Sequence, residues 1–273
     1  LTTHGSIIPS KNDNIMVKLF KKIHDKFIKP LFLPVVDVWI ATSKDELAFV
    51  KKYIGKRSRG KILKIPLGIN KDIAVSQLNV ENFITKNNLD GKFIISYVGR
   101  INKRKGVQFI LRALSRLKDI INDVVFLIIG PDDGYLNKIQ LLIQELNLNE
   151  NVKCLGYLEK NNEQLYAAYA SSNLLIVPSK YENFGHIFVE AGVIKTPIIT
   201  SARYTDVFDK KDVYFFDFGN IDALAESILH VFNNQEESKQ KAEKYHQKIM
   251  KMDSWEDMTR KYEKIYKKLP KPK

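Results

Sequence analysis

The chain has 273 residues, of which 44% are hydrophobic, and a formal net charge of +13. This length allows one large or two modest globular domains, and the composition excludes a disordered or fibrous protein. A single cysteine excludes an internal disulfide framework and favours a reducing, cytoplasmic environment. No apolar run in the sequence reaches the length of a membrane-spanning helix.

The positive charge is concentrated towards the two ends of the chain. Residues 1–90 hold 16 basic and 8 acidic residues, residues 91–234 are balanced, and the remainder holds 12 basic and 7 acidic residues. In residues 13–32, lysines alternate with apolar residues at helical spacing, which predicts a basic amphipathic helix. We expect this helix to pack on its own domain, with a peripheral contact at the inner face of a membrane as the alternative.

The first part of the chain predicts a small α/β unit. Residues 37–41 and 61–65 have the character of short apolar strands. Ser43 is the expected start of the helix between them, and Glu46 three residues later predicts a capping box.

A longer alternation of strands and helices follows. The sequence predicts strands at 92–98, 124–129, 152–155, 174–177, 197–200 and 213–216, and helices at 107–117, 135–146, 163–170, 187–194, 221–232, 236–250 and 255–268. This order indicates a parallel sheet with helices on both faces. Cys154 lies between apolar residues of the third strand, so we expect it to be buried.

The stretch 178–191 is the first candidate site. It predicts a loop after a buried strand and then a helix that begins near Gly185, at the edge of the sheet where ligands bind. The helix N-terminus offers N–H groups to an anion. Glu182 and Glu190 lie on either side of this turn and could accept hydrogen bonds from sugar hydroxyls. The alternative is that both are ordinary solvated carboxylates.

A basic loop at 99–106 is the second candidate. It carries four cations in six residues after a predicted strand, and Arg100 and Lys105 could clamp a diphosphate. The loop has neither the Walker spacing nor the G-x-G-x-x-G pattern, so a nicotinamide site is disfavoured. At 130–134 we expect a turn with a helix-capping Asp, in preference to a metal site.

Together these motifs resemble the nucleotide-sugar domain of retaining GT-B glycosyltransferases, and most closely family 4, the glycosyl transferases of group 1. The matching residues are Gly99-Arg100, Lys105-Gly106, Gly130, Gly156-Tyr157, Pro178-Ser179, Glu182, Glu190-Ala191 and Pro197. Upstream, His4-Gly5, residues 37–43 and Pro66-Leu67-Gly68-Ile69-Asn70 resemble the end of that family's N-terminal domain. The resemblance covers nearly the whole chain.

The resemblance implies an α/β fold of GT-B type. Residues 1–75 would belong to a partial N-terminal Rossmann-like domain that faces the acceptor. Residues 76–250 would form a doubly wound Rossmann-like domain for the nucleotide sugar, and residues 251–273 a helix that crosses back to the first domain. The family's N-terminal domain starts well before His4, so we expect a truncated or separately encoded C-terminal part that is weakly active alone.

The resemblance also implies roles for individual residues. Arg100 and Lys105 would bind the donor diphosphate, Glu190 the ribose and Glu182 the donor sugar, with His4 as a second catalytic residue. The remaining donor-binding residues would be Asn183, Phe184, Gly185, His186 and Ile187. The expected partners are a nucleotide diphosphate sugar and a glycan or glycolipid acceptor of the cell envelope, with no metal or other cofactor and no nucleic acid.

The sequence departs from the family pattern at three places. Leu67 stands where the family usually has Asn, and Lys195 stands where it has Gly. Residues 202–206 replace a Gly-Gly turn and a Glu at the edge of the donor pocket.

Two other classes of function stay open at this point. One is a related enzyme of the same architecture, such as a nucleotide-sugar epimerase or a phosphorylase. The other is a non-enzymatic basic module, which the absence of aromatic residues interleaved with the basic runs disfavours.

Overall fold

The computed structural model describes residues 16, 19, 23–55, 60–159, 163–180, 182, 184–202 and 206–269. The chain divides into two compact units. The first joins the residues up to Ile69 to those from Asp253 onward, and the second comprises Asn70–Met252. The domain boundaries expected from the sequence lie at residues 75 and 250.

The first unit contains one strand–helix–strand motif. Strands β1 (Val38–Ala41) and β2 (Lys61–Lys64) pair in parallel, and helix α1 (Lys44–Ile54) connects them. A small apolar core forms where Trp39 of β1 packs with Leu33, Val50 and Ile54. A parallel pair requires such a crossover, so the sequence order dictates this arrangement.

The predicted capping box at α1 forms only in part. The Oγ of Ser43 accepts a hydrogen bond from the N–H of Glu46 at 3.1 Å, as predicted. The Glu46 carboxylate, however, accepts from the N–H and the hydroxyl of Thr42, each at 2.7 Å, and not from the N–H of Ser43. Glu46 and Thr42 are both buried, so these bonds satisfy a carboxylate that burial would otherwise destabilise.

The helix predicted at 13–32 is helical wherever its residues are described, but it is not α-helical throughout. Met16, Leu19 and Ile23 are α-helical, His24–Ile28 form a π-helical turn and Lys29–Phe32 an α-helical turn, and a 3-10 turn follows at Leu33–Val35. The other residues of 13–22 lie outside the described part of the chain. Pro30 and Pro34 have no N–H to donate, which interrupts α-helical hydrogen bonding. Several described apolar residues of this region are exposed, namely Met16, Leu19, Ile23, Phe27, Leu31 and Val35, whereas Leu33 is buried in the core of the first unit. No helix among the described residues is long and apolar enough to cross a bilayer.

The second unit begins with helix α2 and then alternates strands and helices. The strands are β3 (Phe93–Val98), β4 (Val124–Ile129), β5 (Val152–Gly156), β6 (Leu174–Val177), β7 (Ile198–Thr200) and β8 (Tyr214–Phe215). The helices are α2 (Gln77–Lys86), α3 (Val107–Leu117), α4 (Leu136–Glu145), α5 (Glu163–Ser171), α6 (His186–Ile194), α7 (Ile221–Asn233) and α8 (Gln235–Ile249). The six predicted strands are confirmed, whereas α2 was not predicted; its buried residue is Phe83, and Leu78 is exposed.

The six strands form one parallel sheet in the order β5-β4-β3-β6-β7-β8. The chain first builds outward from β3 through β4 to β5, then returns to place β6 on the other side of β3. Strands β4 and β6 are buried along their whole length, as expected for a sheet covered by helices on both faces. In such folds, ligands bind outside the carboxyl ends of the strands where the order reverses, which here lies between β3 and β6.

The loops that follow β3 and β6 approach each other closely at Gly106. This residue has φ +80°, and a Cβ atom there would lie 2.2 Å from the carbonyl oxygen of Pro178. Only glycine satisfies both the left-handed backbone and the lack of space.

Two side chains in this unit differ from the sequence expectations. Cys154 is exposed and not buried; its strand β5 is an edge strand of the sheet, so fewer neighbours cover it. Lys195, which stands where the resembled family has Gly, ends α6 with φ +66°. Its Nζ lies 2.7 Å from Oε2 of Glu243 in α8, and this ion pair lowers the pKa of Glu243.

The last helix, α9 (Trp255–Tyr266), belongs to the first unit. Ser254 and Asp257 form a complete capping box at its start. The segment Gly68–Ile69 runs against this start: Ile69 N–H donates to the carbonyl of Asp253 at 3.0 Å, and Gly68 N–H lies 3.3 Å from the sulfur of Met258. A Cβ atom on Gly68 would lie 2.5 Å from the Cα of Trp255, so glycine permits this contact.

We predict that Gly106→Ala destabilises the protein much more than Gly134→Ala. Both glycines have a left-handed φ, +80° and +78°, but a Cβ on Gly134 meets no atom within 4 Å. The control Gly134→Ala should therefore lower the free energy of unfolding by only about 1–2 kcal/mol, which is the cost of a left-handed backbone for a residue with a Cβ atom. In Gly106→Ala the new Cβ atom also clashes with the carbonyl oxygen of Pro178. The free energy of unfolding, measured with urea, should therefore fall by about 2–5 kcal/mol. Equal losses would mean that the two loops are not in tight contact.

Candidate functional site

The loop after β3 is held in a defined shape by Asn102. The side-chain oxygen of Asn102 accepts hydrogen bonds from the N–H groups of Arg104 and Lys105, each at 3.1 Å, and so closes a short 3-10 turn over Lys103–Lys105. The Asn102 amide also donates to Oδ2 of Asp133 at 2.9 Å, which ties this loop to the loop after β4. These hydrogen bonds therefore fix the backbone position of Lys105.

Lys105 and Glu182 meet across the point where the strand order reverses. The Nζ atom of Lys105, on the β3 loop, lies 2.5 Å from Oε1 of Glu182, on the β6 loop. Both side chains are largely buried, with exposed fractions of 25% and 14%. The sequence places the two residues at the same edge of the sheet, and the structure adds that they form an ion pair.

Arg100 lies in the same loop and is more exposed than Lys105. Its Nη1 lies 3.2 Å from Oδ2 of Asp133, and its side chain is 62% exposed. The buried Tyr97 hydroxyl donates to the carbonyl of Arg100 at 2.8 Å and so fixes its backbone. Burial raises the pKa of Tyr97, and the nearby charge of Glu182 raises it further, which keeps the hydroxyl protonated.

The neighbouring Asp132 has a structural role. Its Oδ1 accepts hydrogen bonds from the N–H groups of Tyr135 and Leu136, at 2.9 and 3.0 Å, where α4 begins. These backbone bonds lower the pKa of Asp132. The predicted helix-capping turn is therefore confirmed, with Asp132 at the helix start and Asp133 paired with Arg100.

Helix α6 begins at the same edge of the sheet. Gly185 precedes its first residue with φ +75°, and a Cβ there would lie 2.5 Å from Cδ2 of Phe188. Phe184 is buried and its ring packs against that of His186, with 5.1 Å between the centroids. Ile187 is half-buried in the first turn. The start of α6 lies close to Glu182, since a Cβ on Gly185 would be 3.7 Å from the Cβ of Glu182, and this end of the helix carries the positive end of its dipole.

Glu190 is anchored by a tyrosine that sequence reasoning did not identify. The hydroxyl of Tyr169, in α5, donates to Oε2 of Glu190 at 2.9 Å. Tyr169 is completely buried, and burial together with the Glu190 charge raises its pKa well above the usual value. An aromatic residue in a buried helix normally indicates core packing, so no sequence signal could have assigned this contact.

Two further residues complete the account of the predicted site. His4 and Asn183 lie outside the described residues. Ser179, two residues after the end of β6, belongs to the matching Pro178-Ser179 motif but was not predicted to bind a ligand. Its hydroxyl is buried and has no hydrogen-bond partner in the described part of the chain.

A cavity of about 540 Å³ lies at the opposite edge of the sheet, at the amino ends of the strands. It is lined by residues that include Lys92, Phe93, Asp123, Asn173 and Phe232. Its ion pair, Lys92 with Asp123 at 2.7 Å, is more exposed than the Lys105–Glu182 pair. We place the candidate site at the carboxyl edge, since that edge holds the order reversal, the α6 N-terminus and the partly buried ion pair.

Residues 79–249 match the family model described as glycosyl transferases group 1. The match covers more than half of the chain, and the protein therefore belongs to this family. An uncharacterized glycosyltransferase of Methanocaldococcus jannaschii is 28% identical over 238 residues, which is 85% of this chain and 62% of that protein. The first curated relatives are covered over only 27–62% of their own lengths.

Solved structures share the fold at low sequence identity. Sucrose-phosphate synthase from Thermosynechococcus elongatus aligns with a TM-score of 0.74 and 23% identity, over 96% of this chain and 64% of that one. HepE of Anabaena, solved in complex with UDP, aligns with a TM-score of 0.78 and 16% identity, over 96% and 70%. The predicted α/β fold of GT-B type is confirmed.

We predict strong energetic coupling between Lys105 and Glu182. Removing either partner leaves a largely buried charge unpaired, whereas removing both does not. In a double-mutant cycle with Lys105→Met and Glu182→Gln, the free energies of unfolding should show a coupling of about 1–3 kcal/mol. The exposed pair Arg100–Asp133 is the matched control, for which we expect about 0.2–1 kcal/mol. Additive effects at Lys105 and Glu182 would contradict the observed pairing.

Proposed function

We propose that this protein transfers a sugar from a nucleotide diphosphate sugar to a hydroxyl of a glycan or glycolipid acceptor, with retention of the anomeric configuration. The observation that carries the proposal is the Lys105–Glu182 ion pair at the reversal of strand order, with the N-terminus of α6 next to it. Membership of the glycosyl transferases group 1 supports the class of reaction.

In the proposed complex, Arg100 and Lys105 bind the diphosphate of the donor. Arg100 is exposed and has a planar group that binds two oxygen atoms at once, while Lys105 supplies a compact charge from the rigid turn. The N–H groups at the start of α6, from Gly185 to Ile187, add further donors for the phosphates. HepE binds UDP, which is consistent with a nucleotide diphosphate as ligand.

Glu182 is assigned to the hydroxyls of the donor sugar. An ionised carboxylate accepts hydrogen bonds and donates none, and sugar hydroxyls are suitable donors. When the donor binds, Lys105 exchanges Glu182 for a phosphate and Glu182 exchanges Lys105 for sugar hydroxyls, so both groups keep hydrogen-bond partners. Asn183, Phe184 and His186 are proposed as further donor-binding residues.

The reaction breaks the bond between the anomeric carbon and the diphosphate oxygen. A new bond forms from the acceptor hydroxyl oxygen to that carbon, and the hydroxyl proton passes to the departing diphosphate. The negative charge that develops on the leaving group is stabilised by the fixed cations and the helix N-terminus. In this proposal the cations take the role that a metal ion would otherwise have, and His4 is a second catalytic residue.

Product analysis with labelled UDP-, GDP- and ADP-sugars and a panel of glycan acceptors tests the proposal. Transfer releases the nucleoside diphosphate and yields a glycoside with the donor's anomeric configuration. An epimerase would change the sugar without releasing the diphosphate, and a phosphorylase would require inorganic phosphate. Salt-sensitive gel shifts without nucleotide-sugar binding would favour a nucleic-acid-binding module.

We predict that Arg100→Ala and Lys105→Ala each weaken nucleoside diphosphate binding at least about tenfold, because each removes a charge-assisted hydrogen bond to phosphate. Lys103→Ala is the control: Lys103 is exposed in the same turn and should matter little. Calorimetric titration of the three variants with UDP, GDP and ADP measures the effect. Unchanged affinity in both test variants would exclude the diphosphate clamp.

We also predict that Glu190→Gln weakens binding of ribonucleotides about fivefold, since a neutral amide accepts a hydrogen bond from a hydroxyl less strongly than a carboxylate does. Binding of the 2′-deoxy counterpart should change much less. The comparison uses the tightest-binding diphosphate from the titration and its deoxy form. Equal losses for the two ligands would assign Glu190 to folding and not to the ribose.

A further inference from the structure

Tyr169 is held at both ends to the segment that carries Glu190. Its hydroxyl donates to Oε2 of Glu190 at 2.9 Å, and its carbonyl accepts from the hydroxyl of Thr196 at 2.9 Å. Thr196 lies two residues after the end of α6 and is itself buried. One tyrosine of α5 therefore fixes the position of α6 and the side chain of Glu190 together.

The direction of the Tyr169–Glu190 hydrogen bond is fixed by its surroundings. Burial and the nearby carboxylate charge raise the pKa of Tyr169 well above its usual value, so the hydroxyl keeps its proton over the whole physiological range. An ionised carboxylate can only accept. Tyr169 thus donates to one oxygen of Glu190, and a carboxylate has acceptor positions beyond that one bond.

Tyr169 and Glu190 differ in how deeply they are buried. Tyr169 is completely buried, so its hydroxyl does not reach a ligand, whereas Glu190 is only partly buried. A glutamate side chain has several rotatable bonds, and a ligand contact weakens when those bonds must be ordered during binding. A buried hydrogen-bond donor that holds the glutamate side chain in one orientation before the ligand binds avoids this loss of affinity.

We propose that Tyr169 is a positioning residue for nucleotide selection: it holds the carboxylate of Glu190 in the orientation that reads the ribose hydroxyls and so sets the preference for ribonucleotides over 2′-deoxyribonucleotides. This inference rests on the proposed function, in which Glu190 binds the ribose.

Tyr245 provides a matched control for the loss of a buried tyrosine hydroxyl. It lies in α8, is 1% exposed and packs against α6, where a Cβ on Gly192 would lie 2.9 Å from its ring. Its hydroxyl has no hydrogen-bond partner in the described part of the chain. Tyr245→Phe therefore makes the same chemical change beside the same helix without touching Glu190.

The experiment measures the affinity of the 273-residue chain for a ribonucleoside diphosphate (UDP, GDP or ADP, whichever binds tightest) and for its 2′-deoxy form. Tyr169→Phe should weaken ribonucleotide binding about fivefold, the size of an ordinary hydrogen-bond contribution. The deoxy form should lose little, and Tyr245→Phe should leave both affinities unchanged. In a Glu190→Gln background, Tyr169→Phe should have no further effect on selectivity.

The failures of the two proposals are distinguishable. Wild-type protein that binds no nucleoside diphosphate overturns the proposed function and this inference with it. Wild-type protein that prefers the ribonucleotide, with the same preference in Tyr169→Phe, overturns this inference alone. Equal loss of both ligands in Tyr169→Phe also overturns it, since that result indicates a general structural role.

A second variant keeps the test informative if Tyr169→Phe does not fold, which circular dichroism detects. Placing 4-aminophenylalanine at position 169 keeps the size of the ring and a hydrogen-bond donor at its tip. This variant should retain the wild-type preference for the ribonucleotide. Loss of the preference in a folded protein that still carries this donor would contradict a positioning role for the hydrogen bond.

Discussion

The ion pair between Lys105 and Glu182 is the interaction on which the arrangement of the candidate site depends. Removing two charges from water is unfavourable unless they meet at close range, and these two meet at 2.5 Å with most of both side chains covered. The contact requires the β3 and β6 loops to approach closely, which Gly106 permits beside Pro178. It also requires a rigid turn beneath Lys105, which Asn102 closes with its side-chain oxygen.

A binding site built on such a pair has a defined resting state. Before a ligand arrives, each charge neutralises the other, so neither needs another partner. A nucleotide sugar would offer an anion to Lys105 and hydroxyl donors to Glu182 at the same time, whereas a ligand with only one of these features would leave one charge unpaired. Under the proposed function, the pair therefore favours ligands that combine phosphate with sugar.

The sequence predicts most of the second unit because its signals are local. Buried strands such as Leu174–Val177 are continuous apolar runs, and the loops after them carry the glycines and charges that parallel sheets place at one edge. Arg100, Lys105, Glu182 and Glu190 are candidates because of their positions relative to such strands, and the family resemblance implies their individual roles. Where local patterns were weak or interrupted, the predictions were incomplete: α2 was missed, and part of the helix predicted at 13–32 is π-helical and not α-helical.

The contacts that orient these side chains could not be predicted, because they join residues far apart in the chain. Asn102 and Asp133 are 31 residues apart, Tyr169 and Glu190 are 21 apart, and Lys105 and Glu182 are 77 apart. Tyr97 and Tyr169 have the sequence character of core residues, and burial is indeed their main feature. Only the structure shows that the Tyr97 hydroxyl donates to the carbonyl of Arg100 and that the Tyr169 hydroxyl donates to the carboxylate of Glu190.

The central claim is that the carboxyl edge of the sheet, at β3 and β6, binds a nucleotide diphosphate. Hydrogen–deuterium exchange of the chain with and without UDP-, GDP- or ADP-sugar tests this claim most directly. The account predicts slower exchange in peptides that cover residues 99–106 and 184–190 with at least one of these ligands. Protection confined to residues 91–93 and 120–123, which line the cavity at the amino edge, or no protection with any of the ligands, would contradict it.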